Sequence, residues 1–370
     1  MARSGPMPFA RFMELALYHP EHGYYERDQP VGVRGDFVTS VSIGPLFGEA
    51  LAAQFAAWLR EIESSRPKPA RLQLIEAGAH DGTLASDVLT ALGRDFPDLS
   101  ARVEYVIVEP SPRRAARQQE KLAAFAPLVR WLESLPAAAP NPQSAIRNPQ
   151  FSGILFSNEL LDAFPVHRIG WDAHRRAWFE WGVEWRGDKF DWTRLPLATD
   201  SPLLTPHPEL SSPELQRVLP DQYTLDLCPA AAQWWRDAAQ SLARGWLVAF
   251  DYGFTDEAWL RPERPHGTLR AIRRHHANPD VLDDPGGQDL TAHVNFSEFI
   301  RAGEASGLQT VVLQPQAAFL TRALGTGGIS RASAREWSPA ELRQFHSLTN
   351  PEHLGAALKV LVQRRTERVS

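Results

Sequence analysis

The chain of 370 residues holds one cysteine, Cys228. A lone thiol closes no internal disulfide and builds no cysteine-rich zinc site. Positive charge is not in excess either: 39 Lys and Arg stand against 44 Asp and Glu, for a formal charge of −5. That balance excludes a protein whose main task is to coat nucleic acid, and no nucleic-acid partner is expected. No uninterrupted apolar run approaches the roughly 18–20 residues that cross a bilayer, so no membrane span is expected. The opening stretch, MARSGPMPFARFMELALYHPEHGYY, lacks a long apolar core and a strongly basic leader and reads as folded structure. It points to a cytoplasmic protein. The dinucleotide fingerprint G-x-G-x-x-G is missing as well.

Two residue types are abundant: 30 prolines and 12 tryptophans. The prolines concentrate after residue 130 and imply long loops or insertions between core elements. Trp171, Trp178, Trp181, Trp185 and Trp192 fall in one stretch. They imply a sheet or hairpin whose flat side chains serve packing or ligand contact.

Residues 1–65 read as a helical N-terminal cap. Phe9, Phe12, Met13, Leu15, Ala16 and Leu17 open it at mixed helical spacing, and a stripe of Leu46, Phe47, Ala50, Leu51, Phe55, Trp58 and Leu59 closes it. Between these lie His22-Gly23-Tyr24-Tyr25 and Gly35-Asp36-Phe37-Val38-Thr39-Ser40; Arg66-Pro67-Lys68-Pro69 follows as a rigid linker. Short apolar runs then alternate with helical stretches, the signature of βα units and a parallel sheet. Seven strands are expected, at Leu72–Glu76, Val103–Glu109, Leu128–Trp131, Ile154–Ser157, Trp246–Asp251, Leu308–Leu313 and Leu358–Val362. The first half of this α/β core spans 66–165 and the second half 241–370. Residues 136–150 look like a solvent loop. A β-rich insertion occupies 166–240, with a hairpin turn at Arg186-Gly187-Asp188-Lys189. Residues 255–295 carry little helical or strand periodicity and read as a lid loop.

The chemistry gathers at strand ends. Glu76-Ala77-Gly78-Ala79-His80-Asp81-Gly82 follows the first strand, and a helix begins near Thr83. Glycines there let backbone N–H groups and a helix N-terminus approach a cofactor, although an ordinary tight turn reads the same way. Glu76, Gly78, His80 and Gly82 are therefore candidate cofactor residues. His80 stands where a middle glycine belongs; its bulk either obstructs the site or tolerates the left-handed backbone, in which His is enriched. Glu109 ends the next strand, where a carboxylate can accept both hydroxyls of a ribose. Ser134 and Leu135 follow the third strand, beside the expected adenine. Asn158, Glu159 and Asp162 sit at the end of the fourth strand, facing the reacting group or capping a helix. Asp251 and Tyr252 end the fifth. His275 and His276 are adjacent and cannot easily reach one ion from a regular element, so no metal is expected. Arg270 and His293 are read instead as part of a lid over an acceptor cleft.

The ordered set His22-Gly23-Tyr24-Tyr25, Gly35–Ser40, Phe47-Gly48-Glu49, Glu76–Gly82, Val108-Glu109-Pro110-Ser111-Pro112, Asn158–Pro165, Asp251-Tyr252-Gly253, Gly267-Thr268-Leu269-Arg270 and Asp289-Leu290-Thr291-Ala292-His293-Val294 resembles the MidA family. The resemblance runs from about residue 8 to 363. It implies a class I S-adenosylmethionine-dependent methyltransferase with a Rossmann-like seven-stranded sheet. It further implies methylation of a protein arginine, in mitochondrial members on a subunit of respiratory complex I. Glu159, with Asp162 or Asp251, would grip the guanidinium; Tyr252, Arg270 and His293 would line the acceptor side. Two alternatives keep the fold: a catalytically silent scaffold, and a methyltransferase acting on small molecules.

Overall fold

The computed structural model of the chain describes residues 5–27, 39–64, 69, 71–136, 151–273, 276–326 and 337–366. The Gly35–Val38 part of the second N-terminal motif, the Arg66–Lys68 linker, nearly all of the 136–150 loop, and His275 lie outside them. The chain divides into two units. One comprises Met1–Phe37, Asp162–Ala232 and Phe254–Asn295; the other comprises Val38–Leu161, Gln233–Gly253 and Phe296–Ser370.

The second unit is built on seven strands: β1 (Leu72–Ala77), β2 (Val103–Val108), β3 (Val129–Leu132), β4 (Phe151–Asn158), β5 (Leu242–Phe254), β6 (Gln309–Pro315) and β7 (Leu358–Arg365). All seven expected strands form, in the order β6-β7-β5-β4-β1-β2-β3. β1 to β5 run parallel, and β7 is antiparallel to both neighbours. Central strands covered on both faces need no polar alternation, which is why Tyr105-Val106-Ile107-Val108 is an unbroken apolar run. On one face, helix α1 (Leu46–Ser64) lays Phe47, Leu51, Phe55 and Leu59 against Leu74, Phe156, Val248 and Phe250. Helix α2 (Thr83–Asp95) joins that layer through Leu84, Val88 and Leu92.

Register places the site. Ala77 pairs with Val108 on one side and Ser157 on the other, and Ser157 pairs with Ala249. Gly78, Glu109 and Asn158, each one step further along its strand, emerge side by side at one edge of the sheet. The chain winds outward from β1 to β3 and then returns to β4 on the other flank. That reversal makes the switch point at which open α/β sheets bind ligands.

In the first unit, the helix Phe9–Tyr18 buries Phe9, Phe12, Met13, Ala16 and Leu17. An antiparallel sheet contains His167–Asp172, Ala177–Arg186, Lys189–Pro196 and Thr224–Leu227. Arg186 pairs with Lys189, so the expected hairpin turn forms at Gly187-Asp188. The tryptophans of this sheet mostly pack: Trp171 and Trp178 meet edge to face in a core with Leu204 and Leu210, and Trp192 lies 5.1 Å from Phe9. Trp185 meets Phe190 edge to face but stays 42% exposed. The 255–295 stretch departs from expectation. Arg270–Arg273, His276–Asn278 and Asp289–Thr291 pair into a small antiparallel sheet. Strands of three or four residues are too short to register an alternation in sequence, and their pairing is set by partners elsewhere in the chain.

Candidate functional site

The turn after β1 is left-handed at every second residue: φ is +73° at Gly78, +48° at His80 and +83° at Gly82. Gly78 donates its N–H to the carbonyl of Val108, which ties the turn to the end of β2. The left-handed backbone favours glycine at position 78, and a Cβ there, 2.7 Å from Leu160 Cδ1, would push that side chain aside. His80 adopts the backbone that its missing middle glycine would have taken. Its side chain is 44% exposed, with Nδ1 3.9 Å from Asp81 Oδ1. Asp81 accepts from the Thr83 N–H at 3.0 Å and from Lys121 Nζ at 2.6 Å, closing the start of α2. Burial pushes the Asp81 carboxyl up, but hydrogen bonds from His80, Lys121 and Thr83 outweigh it and hold the group well below the usual carboxylate range.

Glu76 points the other way, into the core between sheet and helices. Its carboxyl accepts from the Tyr105 hydroxyl at 2.6 Å, and both side chains are buried. Burial pushes Glu76 up to about 7; the Tyr105 hydrogen bond opposes the rise and the charge of Asp81 adds to it.

Glu109 lies buried at the end of β2. Its Oε1 accepts from the Ser111 N–H at 2.9 Å and from Arg114 Nε and Nη2 at 2.9 and 2.7 Å. Ser111 caps helix α3 (Pro112–Lys121) by accepting from the Arg114 N–H, which brings that guanidinium back over Glu109. Glu109 Oε2 accepts from Gln118 Nε2 at 3.1 Å. The same nitrogen donates to the His80 carbonyl at 2.9 Å, and Gln118 Oε1 accepts from Trp131 Nε1 at 3.1 Å. Gln118 was not legible as a site residue: it sits in Arg-Arg-Ala-Ala-Arg-Gln-Gln-Glu-Lys, which reads as a solvated helix face. Past β3, Ser134 is exposed and Leu135 buried.

At the end of β4, Glu159 is held at φ +51° and donates its N–H to the Phe250 carbonyl at 2.8 Å. Its Oε1 accepts from the Ser40 N–H and from Asn158 Nδ2, each at 3.2 Å. Ser40 is fully buried and donates its hydroxyl to Gln316 Oε1 at 3.0 Å. The Thr39-Ser40 part of the N-terminal motif thus helps aim Glu159, a role its sequence did not reveal. Asp251 is fully buried within β5. Its Oδ2 accepts from the Leu161 N–H at 2.8 Å and its Oδ1 from the Tyr252 N–H at 2.9 Å. That carboxylate secures the backbone just after Glu159. Tyr252 is half-buried beside it.

Asp162, Arg270 and His293 belong to the other unit. Asp162 is buried in the short turn Leu161–Ala163, and its carbonyl accepts from the Ala292 N–H at 2.9 Å. Nearby, the Tyr25 hydroxyl donates to Asp289 Oδ1 at 2.8 Å. Burial first, then the charge of Asp289, keeps the Tyr25 phenol well above its usual value. The N–H of His293 donates to Thr268 Oγ1, and Asp226 Oδ2 accepts from the Thr268 and Leu269 N–H groups. A Cβ on Gly267, at φ +75°, would lie 2.5 Å from that oxygen, so glycine lets the Gly267–Arg270 segment close on Asp226. Burial and the guanidiniums of Arg270 and Arg264 pull the His293 imidazole down to about 4, so it is neutral at physiological pH.

This fold and edge are those of a class I methyltransferase, and comparison with known proteins agrees. Residues 50–314 match the family described as "Putative S-adenosyl-L-methionine-dependent methyltransferase". The chain belongs to that family and uses S-adenosylmethionine as its cofactor. A crystallised Burkholderia thailandensis protein described as a "likely methyl transferase", bound to S-adenosyl-homocysteine, is 32% identical, with a TM-score of 0.77 over 98% of this chain and 88% of that one. Relatives named "Protein arginine methyltransferase NDUFAF7, mitochondrial" include one from Mus musculus, 30% identical over 81% of this chain and 67% of its own length. Another, from Xenopus laevis, is 28% identical over 84% of this chain and 70% of its own length. The expected cytoplasmic setting is corrected by these names, which place the relatives in the mitochondrion. That expectation rested on the composition of the opening residues, which reports only the helix Phe9–Tyr18 that they encode.

Proposed function

We propose that this methyltransferase moves the methyl group of S-adenosylmethionine to an arginine side chain of a protein. The observation that carries the reading is the sheet edge at which the left-handed turn 78–82 and the Glu109 carboxylate are joined through Gln118. The residues suit that cofactor. Glu109 keeps acceptor capacity on Oε2 for ribose hydroxyls. Gly78 permits close backbone approach, and the His80 imidazole lies half-exposed beside Asp81, which favours its clearing the turn. Leu135 offers an apolar contact for the adenine, with Ser134 next to it. Asn158 and Glu159 border the same edge.

The acceptor half rests on the names of the relatives and on the chemistry of the carboxylates. A guanidinium stays protonated up to about pH 12, so its site must orient it with acceptors, leave one nitrogen facing the donor and take up the proton that nitrogen sheds. Glu159 supplies that grip, steered by Ser40 and Asn158. Asp251, in the same unit, holds the backbone that follows Glu159. Tyr252, beside Asp251, borders the acceptor side in this reading. The cofactor, when bound, supplies a methyl group on a sulfonium that is its own leaving group. The remaining work of the protein is to align donor and acceptor and, through the Glu159 carboxylate, to take the proton that the attacking nitrogen sheds as the N–C bond forms and the S–C bond breaks. A respiratory-complex subunit is the acceptor that the family resemblance implies.

The test is calorimetric titration with S-adenosyl-homocysteine, followed by mass spectrometry of candidate partners incubated with and without the protein and S-adenosylmethionine. Binding, with methylated arginine only in the complete mixture, is the expected result. No binding at millimolar ligand would leave a methyltransferase-fold scaffold. Binding with transfer only to small molecules would replace the protein acceptor.

A further inference from the structure

We infer that Gln118 is a positioning residue that aims the Glu109 carboxylate at the cofactor ribose and so sets the discrimination between ribose and deoxyribose ligands. The inference rests on the ribose reading of Glu109 given above. Glu109 Oε1 already accepts three hydrogen bonds, from the Ser111 N–H and two nitrogens of Arg114. A carboxylate oxygen has about two lone-pair directions, so Oε1 is saturated by the protein. Oε2 accepts only the Gln118 amide among the described residues and is the oxygen left for a ligand.

The direction of Oε2 is set by an amide that has one way to sit. Gln118 is fully buried. Its two N–H donors go to the His80 carbonyl and Glu109 Oε2, and its oxygen faces the Trp131 indole N–H. Flipping the amide would set an oxygen against two oxygens and an NH2 against an N–H, three mismatches where no water can compensate. Gln118 therefore joins the cofactor turn, the ribose acid and β3 into one rigid set. Displacing any of them displaces Glu109 Oε2 from the sugar.

The experiment measures the affinity of S-adenosyl-homocysteine and of its 2′-deoxy and 3′-deoxy analogues for the wild-type protein, Gln118→Met, Trp131→Phe and Glu109→Ala. The wild-type protein is expected to prefer the ribose ligand by roughly tenfold or more, the worth of a hydrogen bond to a charged group. Gln118→Met keeps the side chain's length without its hydrogen bonds, and is expected to narrow the preference to about threefold or less. Trp131→Phe removes the indole that fixes the amide and is expected to narrow it in the same direction, which keeps the inference testable if Gln118→Met fails to fold. An unchanged preference in Gln118→Met, or in Trp131→Phe where Gln118→Met does not fold, overturns the inference alone, provided that Glu109→Ala abolishes the preference. A wild-type protein or a Glu109→Ala variant that departs from these expectations overturns the ribose reading and the inference with it.

Discussion

The hydroxyl of Tyr105 donates to the carboxyl of Glu76 at 2.6 Å, with both groups buried just before the left-handed turn 78–82. Because burial raises Glu76 to about 7, the folded protein holds a proton that the unfolded chain releases near its ordinary carboxylate value. Between roughly pH 4.5 and 7 the native state therefore binds more protons, and stability falls as pH rises through that window. The expected loss is about 3 kcal/mol, complete above neutrality. Thermal unfolding followed from pH 5 to 8 should show the decline, and Glu76→Gln should flatten it; equal slopes in both proteins would remove Glu76 as its source.

His80→Gly replaces a side chain held at φ +48°. The left-handed conformation costs an ordinary residue about 1–2 kcal/mol and glycine almost nothing, while glycine loses more freedom on folding. The variant is expected to be as stable as the parent or up to about 1 kcal/mol more stable. His80→Val, which is β-branched and fits the left-handed region worse than His, is expected to be less stable than the parent. Denaturant midpoints decide between them. S-adenosyl-homocysteine should bind His80→Gly with undiminished affinity, and a large loss would put the imidazole in contact with the ligand.

Gly78→Ala introduces two separate penalties, a left-handed alanine and a Cβ 2.7 Å from Leu160 Cδ1. The backbone part alone is expected to cost about 1–2 kcal/mol. Adding Leu160→Ala should return only the steric part, measured as the difference between the single and double variants in urea unfolding. Full recovery would mean that the backbone at position 78 had shifted to a conformation alanine accepts.

Asp251→Ala removes the acceptor from two N–H groups, those of Leu161 and Tyr252. Each buried donor left without a partner is expected to cost about 1–3 kcal/mol. Asp251→Asn, which keeps one acceptor oxygen, should cost less. Glu159→Gln should leave stability and cofactor affinity close to wild type while abolishing turnover. Retained methyl transfer in Glu159→Gln would remove that carboxylate from the acceptor site.

The sheet was legible because parallel strands buried on both faces are written as plain apolar runs, and all seven formed where those runs stand. The left-handed turn at Gly78, His80 and Gly82 was legible in its spacing. Gln118 was hidden because its neighbours in α3 are Arg, Gln, Glu and Lys, and nothing local says that one glutamine faces inward. Asp251 reads as a partner for Glu159, and its sequence context gives no sign that its carboxylate also accepts from the Leu161 and Tyr252 N–H groups. The three short strands of 270–291 escaped notice because three residues cannot display a period. Ser40 acts partly through its main-chain N–H, which no residue pattern records.

β7 enters the sheet between β5 and β6, although it follows both in the chain. During synthesis the two older strands must wait with facing edges unpaired until residues 358–365 have left the ribosome. Until then each would present a row of N–H and C=O groups able to template a wrong strand, a hazard that ends when β7 fills the gap between them.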